Sequence, residues 1–313
     1  MSTPRILLLG GTGFVGRNVA ECLAAGGLEP VIAARRNGVD LRKLDDAVSC
    51  FRVHRPDIVV NCAAHVGSLV YVHEQAADVL DDNLRILINT YRALSLVAPE
   101  AVTINPIANC AFPARLNLFR EEDLWNGDLH ESVKSYGSTR RMMLVLSEAY
   151  RYQHGLRSVN LFVPNMYGPY ESTDPTKAHA LNALVSKAVK AKKEGHSHLE
   201  VWGTGVAVRE WLYARDFARI VLEVVARRRD EALDAPVNVG QNFGLSVRDL
   251  VDLVVAQVGF RGEVIWDKSK PDGAAMKTMD DARFRTLFPK FSFTTMQDGI
   301  GATIAYYESR YPY

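Results

Sequence analysis

The chain has 313 residues, 48% of them hydrophobic and 23% charged, with a formal net charge of +1. That is enough chain to bury a core in one large α/β domain or two smaller ones. The near-neutral balance gives no electrostatic footprint for nucleic acid or for an anionic membrane surface, so any basic character that matters is local.

The four cysteines, Cys22, Cys50, Cys62 and Cys110, form no Cys-x-x-Cys pair and no metal-ligand spacing. The sequence therefore calls for no metal, and free thiols fit a reducing cytoplasm. Ile6 to Leu9 is too short for a secretory apolar region, and no stretch approaches the ~20 apolar residues that a bilayer crossing needs. The expectation is a soluble cytoplasmic protein.

In chain order, the apolar run 6–9 predicts a strand buried on both faces. A glycine-rich turn follows, then a helix over 14–25 with Val15, Val19 and Leu23 on one stripe. Strands are expected over 30–34, 57–62, 101–105 and 157–163, with helices over 44–53, 76–97 and 133–153. The segment 106–131 has no strong period and is expected to be a loop. Its length points to function. This alternation predicts a Rossmann-type doubly wound parallel sheet, with a dinucleotide-binding domain over 1–165 and a smaller α/β lid over 166–313 that returns some elements to the first sheet. In the lid, helices are expected over 180–193, 217–228, 247–258 and 296–307, and short strands over 200–202, 236–239 and 263–265. Ser246 and Asp249 form a capping pair for one of these helices.

Gly10-Gly11-Thr12-Gly13-Phe14-Val15-Gly16 lies between a strand and a helix. Small residues there let the backbone turn and approach a pyrophosphate, whose charge rests on the helix N-terminus. The second strand ends in Ala33-Ala34-Arg35-Arg36, with no acid to hold free ribose hydroxyls. Two guanidinium groups suit a ribose phosphate, which favours NADP over NAD. Asp40 and Leu41 follow where an adenine contact is expected, and Ala63, Ala64 and Val66 after the third strand complete the expected cofactor set.

Asn61-Cys62-Ala63-Ala64-His65-Val66-Gly67, Asn109-Cys110-Ala111-Phe112-Pro113, Tyr136 with Arg140, Asn165-Met166-Tyr167-Gly168-Pro169, His179, Trp202-Gly203-Thr204-Gly205 and Arg209-Glu210-Trp211-Leu212-Tyr213 together resemble the GDP-L-fucose synthase family. These are extended short-chain dehydrogenases that act as GDP-4-keto-6-deoxymannose epimerase-reductases. The resemblance runs through Asp272-Gly273 and Lys277.

The resemblance implies roles at matching positions. Tyr136 is the acid/base at the sugar 4-oxygen, and Arg140 takes the place of the family's lysine. Cys110 and His179 match the pair that exchanges protons beside the 4-keto group. Arg209 and Lys277 match contacts to the nucleotide diphosphate, with Lys187, Asn165 and Trp202 as further substrate contacts. The base (guanine) and a homodimer built on the helices at 76–97 and 133–153 also rest on the resemblance.

Two positions depart from it. Ala108 stands where the family carries a hydroxyl donor, and Asn109 offers an amide in its stead. Arg140 is planar and permanently charged, unlike a lysine. These changes keep open a reductase-impaired epimerase, a GDP-sugar 4-dehydrogenase, or a non-catalytic NADP-binding sensor beside the leading epimerase/reductase.

Overall fold

Strands with both faces buried occupy the centre of the molecule, and helices cover each side. The structure is a computed structural model that describes residues 3–174, 177–270 and 272–313. The first half runs β1 (Ile6–Leu9), α1 (Phe14–Ala25), β2 (Val31–Ala33), α2 (Leu44–His54), β3 (Ile58–Asn61), α3 (Leu69–Glu74), α4 (Ala76–Val97), β4 (Val102–Ala108), β5 (Leu118–Phe119), α5 (Lys134–His154), β6 (Arg157–Val163) and β7 (Asn165–Tyr167). The second half runs α6 (Ala180–Glu194), β8 (His198–Trp202), β9 (Val208–Arg209), β10 (Trp211–Tyr213), α7 (Ala214–Ala226), β11 (Val237–Asn238), β12 (Leu245–Ser246), α8 (Val247–Val258), β13 (Glu263–Asp267), β14 (Met276–Met279), α9 (Ala282–Leu287) and α10 (Met296–Arg310).

The main sheet has six parallel strands in the order β2-β1-β3-β4-β6-β11. The chain steps outward from β1 to β2, then crosses back to β3 on the other side of β1. In open α/β sheets the crevice beyond such a reversal binds ligands. On one face Ile6, Leu8, Ile58 and Val60 pack with Val19 and Leu23 of α1 and Phe217 and Val221 of α7. On the other, Leu7, Leu9 and Val59 pack with Phe51 of α2 and Tyr91 and Leu94 of α4. This two-sided burial is why the strands read as unbroken apolar runs.

A buried polar ladder ties α5 to the sheet. Asn105 donates to the Tyr91 hydroxyl at 2.9 Å and to Asn160 Oδ1 at 3.0 Å, and Asn160 donates to Ser147 Oγ of α5 at 2.9 Å.

The C-terminal half builds a second core from Leu181, Val185 and Val189 of α6, Val251 and Val254 of α8 and Ile304 of α10. It also sends β11 back into the main sheet beside β6 and packs α7 on α1. Ser246 caps α8, its hydroxyl accepting the Asp249 amide at 3.0 Å. A small sheet, β12-β9-β14-β5, joins the two halves. It pairs β5, in the segment after β4, with β14, and β14 in turn with β9.

The segment expected to be a loop from residue 106 differs from that expectation. β4 continues through Ala108 despite Pro106, in register with β6 to Val163. Beyond Ile104 only β6 flanks it, because pairing with β3 has ended, so a residue without a donor is tolerated there.

Candidate active site

Most residues proposed for the site from sequence follow the C-terminal ends of the parallel strands or lie on the small sheet, whereas His179 and Lys187 belong to α6 and Trp202 to β8. After β1 the chain turns at Gly10 (φ +71), where an added Cβ would lie 2.7 Å from the Ala63 backbone across the β1/β3 crevice. A Cβ on Gly16 would lie 2.3 Å from the Gly10 carbonyl, so α1 packs this tightly on the turn only with glycine. Gly13 caps α1 with no side-chain hydrogen bond, and no acid stands in the first turn. The leading amides and the positive end of the dipole are thus left for an anion.

Phe14 and Val15 are half-buried beside that end. At the tip of β3, Asn61 is 1% exposed with both side-chain polar atoms unpartnered among the described residues. A glycine cradle, a helix terminus without a side-chain cap and an orphaned amide fit a dinucleotide in this crevice.

Arg35 and Arg36 are exposed on the turn after β2 and make no ion pair among the described residues. Asp40, by contrast, is bound by Arg42 at 2.7 Å, and that guanidinium, first by hydrogen bonding, holds its carboxyl down at about 2. The Leu41 side chain is buried in the core with Ala33 and Phe51. Ala63, Ala64 and Val66 line the chain leaving β3, Ala64 being exposed and the other two half-buried.

Tyr136 and Arg140 lie one turn apart on α5, and the guanidinium carbon sits 4.8 Å from the phenol ring centroid. Arg140 is 3% exposed, yet makes no ion pair among the described residues. It donates to Asn83 Oδ1 at 3.0 Å and to Thr139 Oγ1 at 3.3 Å. Burial pushes the Tyr136 phenol above its ordinary value, and the neighbouring Arg140 charge opposes that.

Asn83 was not among the residues picked from sequence. It joins three parts of the site: its oxygen also accepts the His65 amide at 3.1 Å, and its nitrogen donates to the His65 carbonyl at 2.7 Å. A signal was present, since Asn83 interrupts the buried stripe Val79, Leu87 and Leu94 of α4. A polar residue in such a stripe needs partners in the core.

Cys110 occupies a single helical turn directly after β4, packed so closely on α5 that a Cβ on Gly137 would lie 2.6 Å from its carbonyl. Burial raises the thiol to about 11, against the pull of Arg140 and Lys277. Asn109, in the same turn, and Ala108, at the end of β4, are half-buried.

Lys277 on β14 and Arg209 on β9 are register partners. Each is pulled below its ordinary pKa, first by burial; Lys277 is lowered further by Arg209, whereas the Asp272 charge opposes the shift of Arg209. Arg209 is held by neutral oxygens, donating to the carbonyl of Val208 at 2.8 Å and that of Asp272 at 3.1 Å. The Asp272 carboxylate is engaged by Thr204, whose amide donates at 2.6 Å and hydroxyl at 2.7 Å. Among the described residues these two adjacent cations have no salt-bridged acid, a pairing that can accept a dianion.

His179 is the N-cap of α6, its ring 6.3 Å from that of Phe14 and its Nδ1 bonded to Glu171. Asn165 lies half-buried on β7 opposite Trp211. Lys187 and Trp202 group separately around Glu200, Lys187 donating to its carbonyl at 2.7 Å and Trp202 to its carboxylate at 3.3 Å. Trp202 is 56% exposed and does not belong to the core. Cys110, Tyr136, Arg140, Lys277 and Arg209 form one electrostatically connected cluster, whereas Lys187 and Trp202 meet at Glu200 instead.

A six-stranded doubly wound sheet with this glycine turn, and a tyrosine on the helix beyond β4, defines a dinucleotide-dependent oxidoreductase or epimerase of the short-chain dehydrogenase type. The chain belongs to the NAD dependent epimerase/dehydratase family, which it matches over residues 6–240. It is 32% identical to GDP-L-fucose synthase of Azorhizobium caulinodans over 97% of this chain and 96% of that protein. It is 29% identical to GDP-L-fucose synthase 1 of Arabidopsis thaliana over 97% and 93%. In fold it is similar to a GDP-L-fucose synthetase from Naegleria fowleri bound to NADP, with a TM-score of 0.88 at 24% identity over 99% of this chain and 96% of that one.

Proposed function

We propose that the chain is an NADP-dependent epimerase/reductase acting on a GDP-linked 4-keto sugar. The observation that carries this reading is the single cluster of Tyr136, Arg140, Cys110, Lys277 and Arg209 above the dinucleotide crevice, in a chain similar to GDP-L-fucose synthases along nearly its whole length.

The α1 terminus, Gly10, Gly13 and Gly16 would hold the pyrophosphate, and Arg35 and Arg36 the ribose phosphate. NADPH, when bound, supplies hydride to the sugar carbonyl carbon. Tyr136 exchanges the proton at the sugar 4-oxygen, and the fixed charge of Arg140 stabilises its phenolate form. Cys110 and His179 remove and return protons at the carbons flanking the ketone. Arg209 and Lys277 neutralise the diphosphate, Lys187 and Trp202 reach toward the nucleoside, and Asn165 borders the sugar. Asn109 donates its amide where Ala108 has no hydroxyl.

The protein acts in the cytoplasm as a homodimer in this reading, since α4 and α5 pack together and carry exposed Ile88, Leu96, Met142 and Tyr152. Sedimentation at micromolar concentration checks the dimer, a monomer overturning it.

Ala108 favours one second reading, epimerisation with little net reduction. Proton NMR in deuterated water with GDP-4-keto-6-deoxymannose, with and without NADPH, decides. Deuterium entry beside the ketone together with NADPH oxidation supports the epimerase/reductase, and deuterium entry alone supports the second reading. The absence of both, with no conversion of other GDP-hexoses or GDP-heptoses, overturns the proposal.

A further inference from the structure

His179 has a committed side. Its Nδ1 bonds Glu171 Oε2, while the other carboxylate oxygen accepts the Ser172 amide at 3.0 Å. The Glu171 side chain is only 9% exposed. A carboxylate is not placed there by default, because the chain must turn sharply after Pro169 to bring it under the imidazole.

The turn is made by Tyr170, a non-glycine residue in the left-handed region (φ +74). Such a conformation is strained and persists only where the surroundings hold it. Here they do. The Tyr170 hydroxyl donates to Glu21 of α1, the Arg17 guanidinium lies 5.6 Å from its ring centroid, and Tyr306 of α10 meets it edge-on at 5.2 Å. Three contacts from two helices therefore fix a strained turn whose product is a buried carboxylate against His179.

We propose that Glu171 is the positioning residue of His179, binding Nδ1–H so that Nε2 is the nitrogen that exchanges a proton with the substrate. The inference rests on the acid–base role given to His179 above. A carboxylate on one ring nitrogen selects the tautomer protonated there and favours the imidazolium. Burial pushes the imidazole down, and the hydrogen bond and charge of Glu171 more than offset it, leaving the ring above its ordinary value. From α1 the ring meets Phe14, which is apolar. Tyr307 of α10 lies near the same carboxylate and spends its hydroxyl on the Ser172 carbonyl at 2.9 Å. Among the described residues Glu171 is the one ionisable group whose charge bears on His179.

The test uses full-length protein labelled with ¹⁵N-histidine, with long-range ¹H–¹⁵N spectra recorded from pH 5 to 10 and His179 assigned by its loss in H179Q. E171Q keeps the size and the acceptor oxygen but removes the charge. The expected result is an Nδ1–H tautomer in the native protein and a lower His179 pKa in E171Q.

General acid–base groups contribute ~10²–10⁴-fold, so E171Q should slow solvent deuterium entry into GDP-4-keto-6-deoxymannose about tenfold or more. KM should be unchanged, and the pH limb set by His179 should move to lower pH. An Nε2–H tautomer in the native protein, or the same His179 pKa in both proteins, overturns the proposal even if E171Q is slower, because a merely structural anchor gives that pattern. A shifted His179 titration with no deuterium entry in either protein upholds the pairing and overturns the substrate reading instead.

Discussion

Positive charge is held in opposite ways at Arg42 and at the sugar end of the crevice. At the β2/α2 edge, Arg42 pairs with Asp40 at 2.7 Å and with Asp82 at 3.2 Å, and Asp82 pairs with His65 at 2.9 Å. At the sugar end, Arg140, Arg209 and Lys277 form no ion pair among the described residues. The two arginines are held there by the oxygens of Asn83, Thr139, Val208 and Asp272. A carbonyl or amide oxygen orients a guanidinium without cancelling its charge. Cations matched with acids belong to the fold, and cations matched only with dipoles are kept for the charge of a ligand.

The comparison breaks first, and most visibly, at Tyr136. Tyr136→Phe should lower reduction of the keto sugar by ~10²–10⁴-fold while NADPH binding, followed by fluorescence, is unchanged. An active Y136F would remove the chemistry from this end of the crevice.

Next comes the ligand charge. Arg209→Met deletes charged hydrogen bonds worth about 1.5–3 kcal/mol each, so KM for the GDP-sugar should rise roughly tenfold to a hundredfold. The melting temperature of the ligand-free protein should hold or rise. A lower melting temperature with unchanged KM would make Arg209 a structural cation like Arg42.

Arg36→Ala and Arg35→Ala should each weaken NADPH binding by about 1.5–3 kcal/mol and leave NADH binding unchanged in titration calorimetry. Equal losses for both cofactors would overturn the phosphate-binding role.

The smallest effect belongs to the paired edge. The folded pKa of Asp40 lies below its unfolded one, so its contribution to stability is present above the ordinary carboxylate range. It is lost as pH falls from 3.8 through about 2. Asp40→Asn should flatten that part of the acid-denaturation curve and cost ~0–1 kcal/mol at neutral pH, with KM for the GDP-sugar unchanged.

The long periodic segments were legible in the sequence: α4, α8 and β6 have the bounds their apolar patterns predict. Their pattern is set by burial, which periodicity reports directly. The strands of the small sheet were not legible, because β5, β9 and β12 are two residues long and carry no period. β4 was shortened by its proline, whose tolerance depends on where β3 ends, a fact of register and not of composition.

The site divides along the same line. The glycine turn, Tyr136 and Cys110 stand in local motifs, whereas Asn83 and Glu171 act over contacts no motif encodes. Asn83 at least betrays itself as an amide in an apolar stripe. Glu171 reaches His179 only through the left-handed backbone of Tyr170, and nothing in the local sequence announces that turn.

Arg140 carries a consequence for how protons travel. An ammonium at that position would lose its charge near pH 10.4 and could hand a proton onward, whereas a guanidinium keeps its charge beyond pH 12 and surrenders no proton. Arg140, beside the Tyr136 ring, can therefore stabilise the phenolate but cannot resupply its proton.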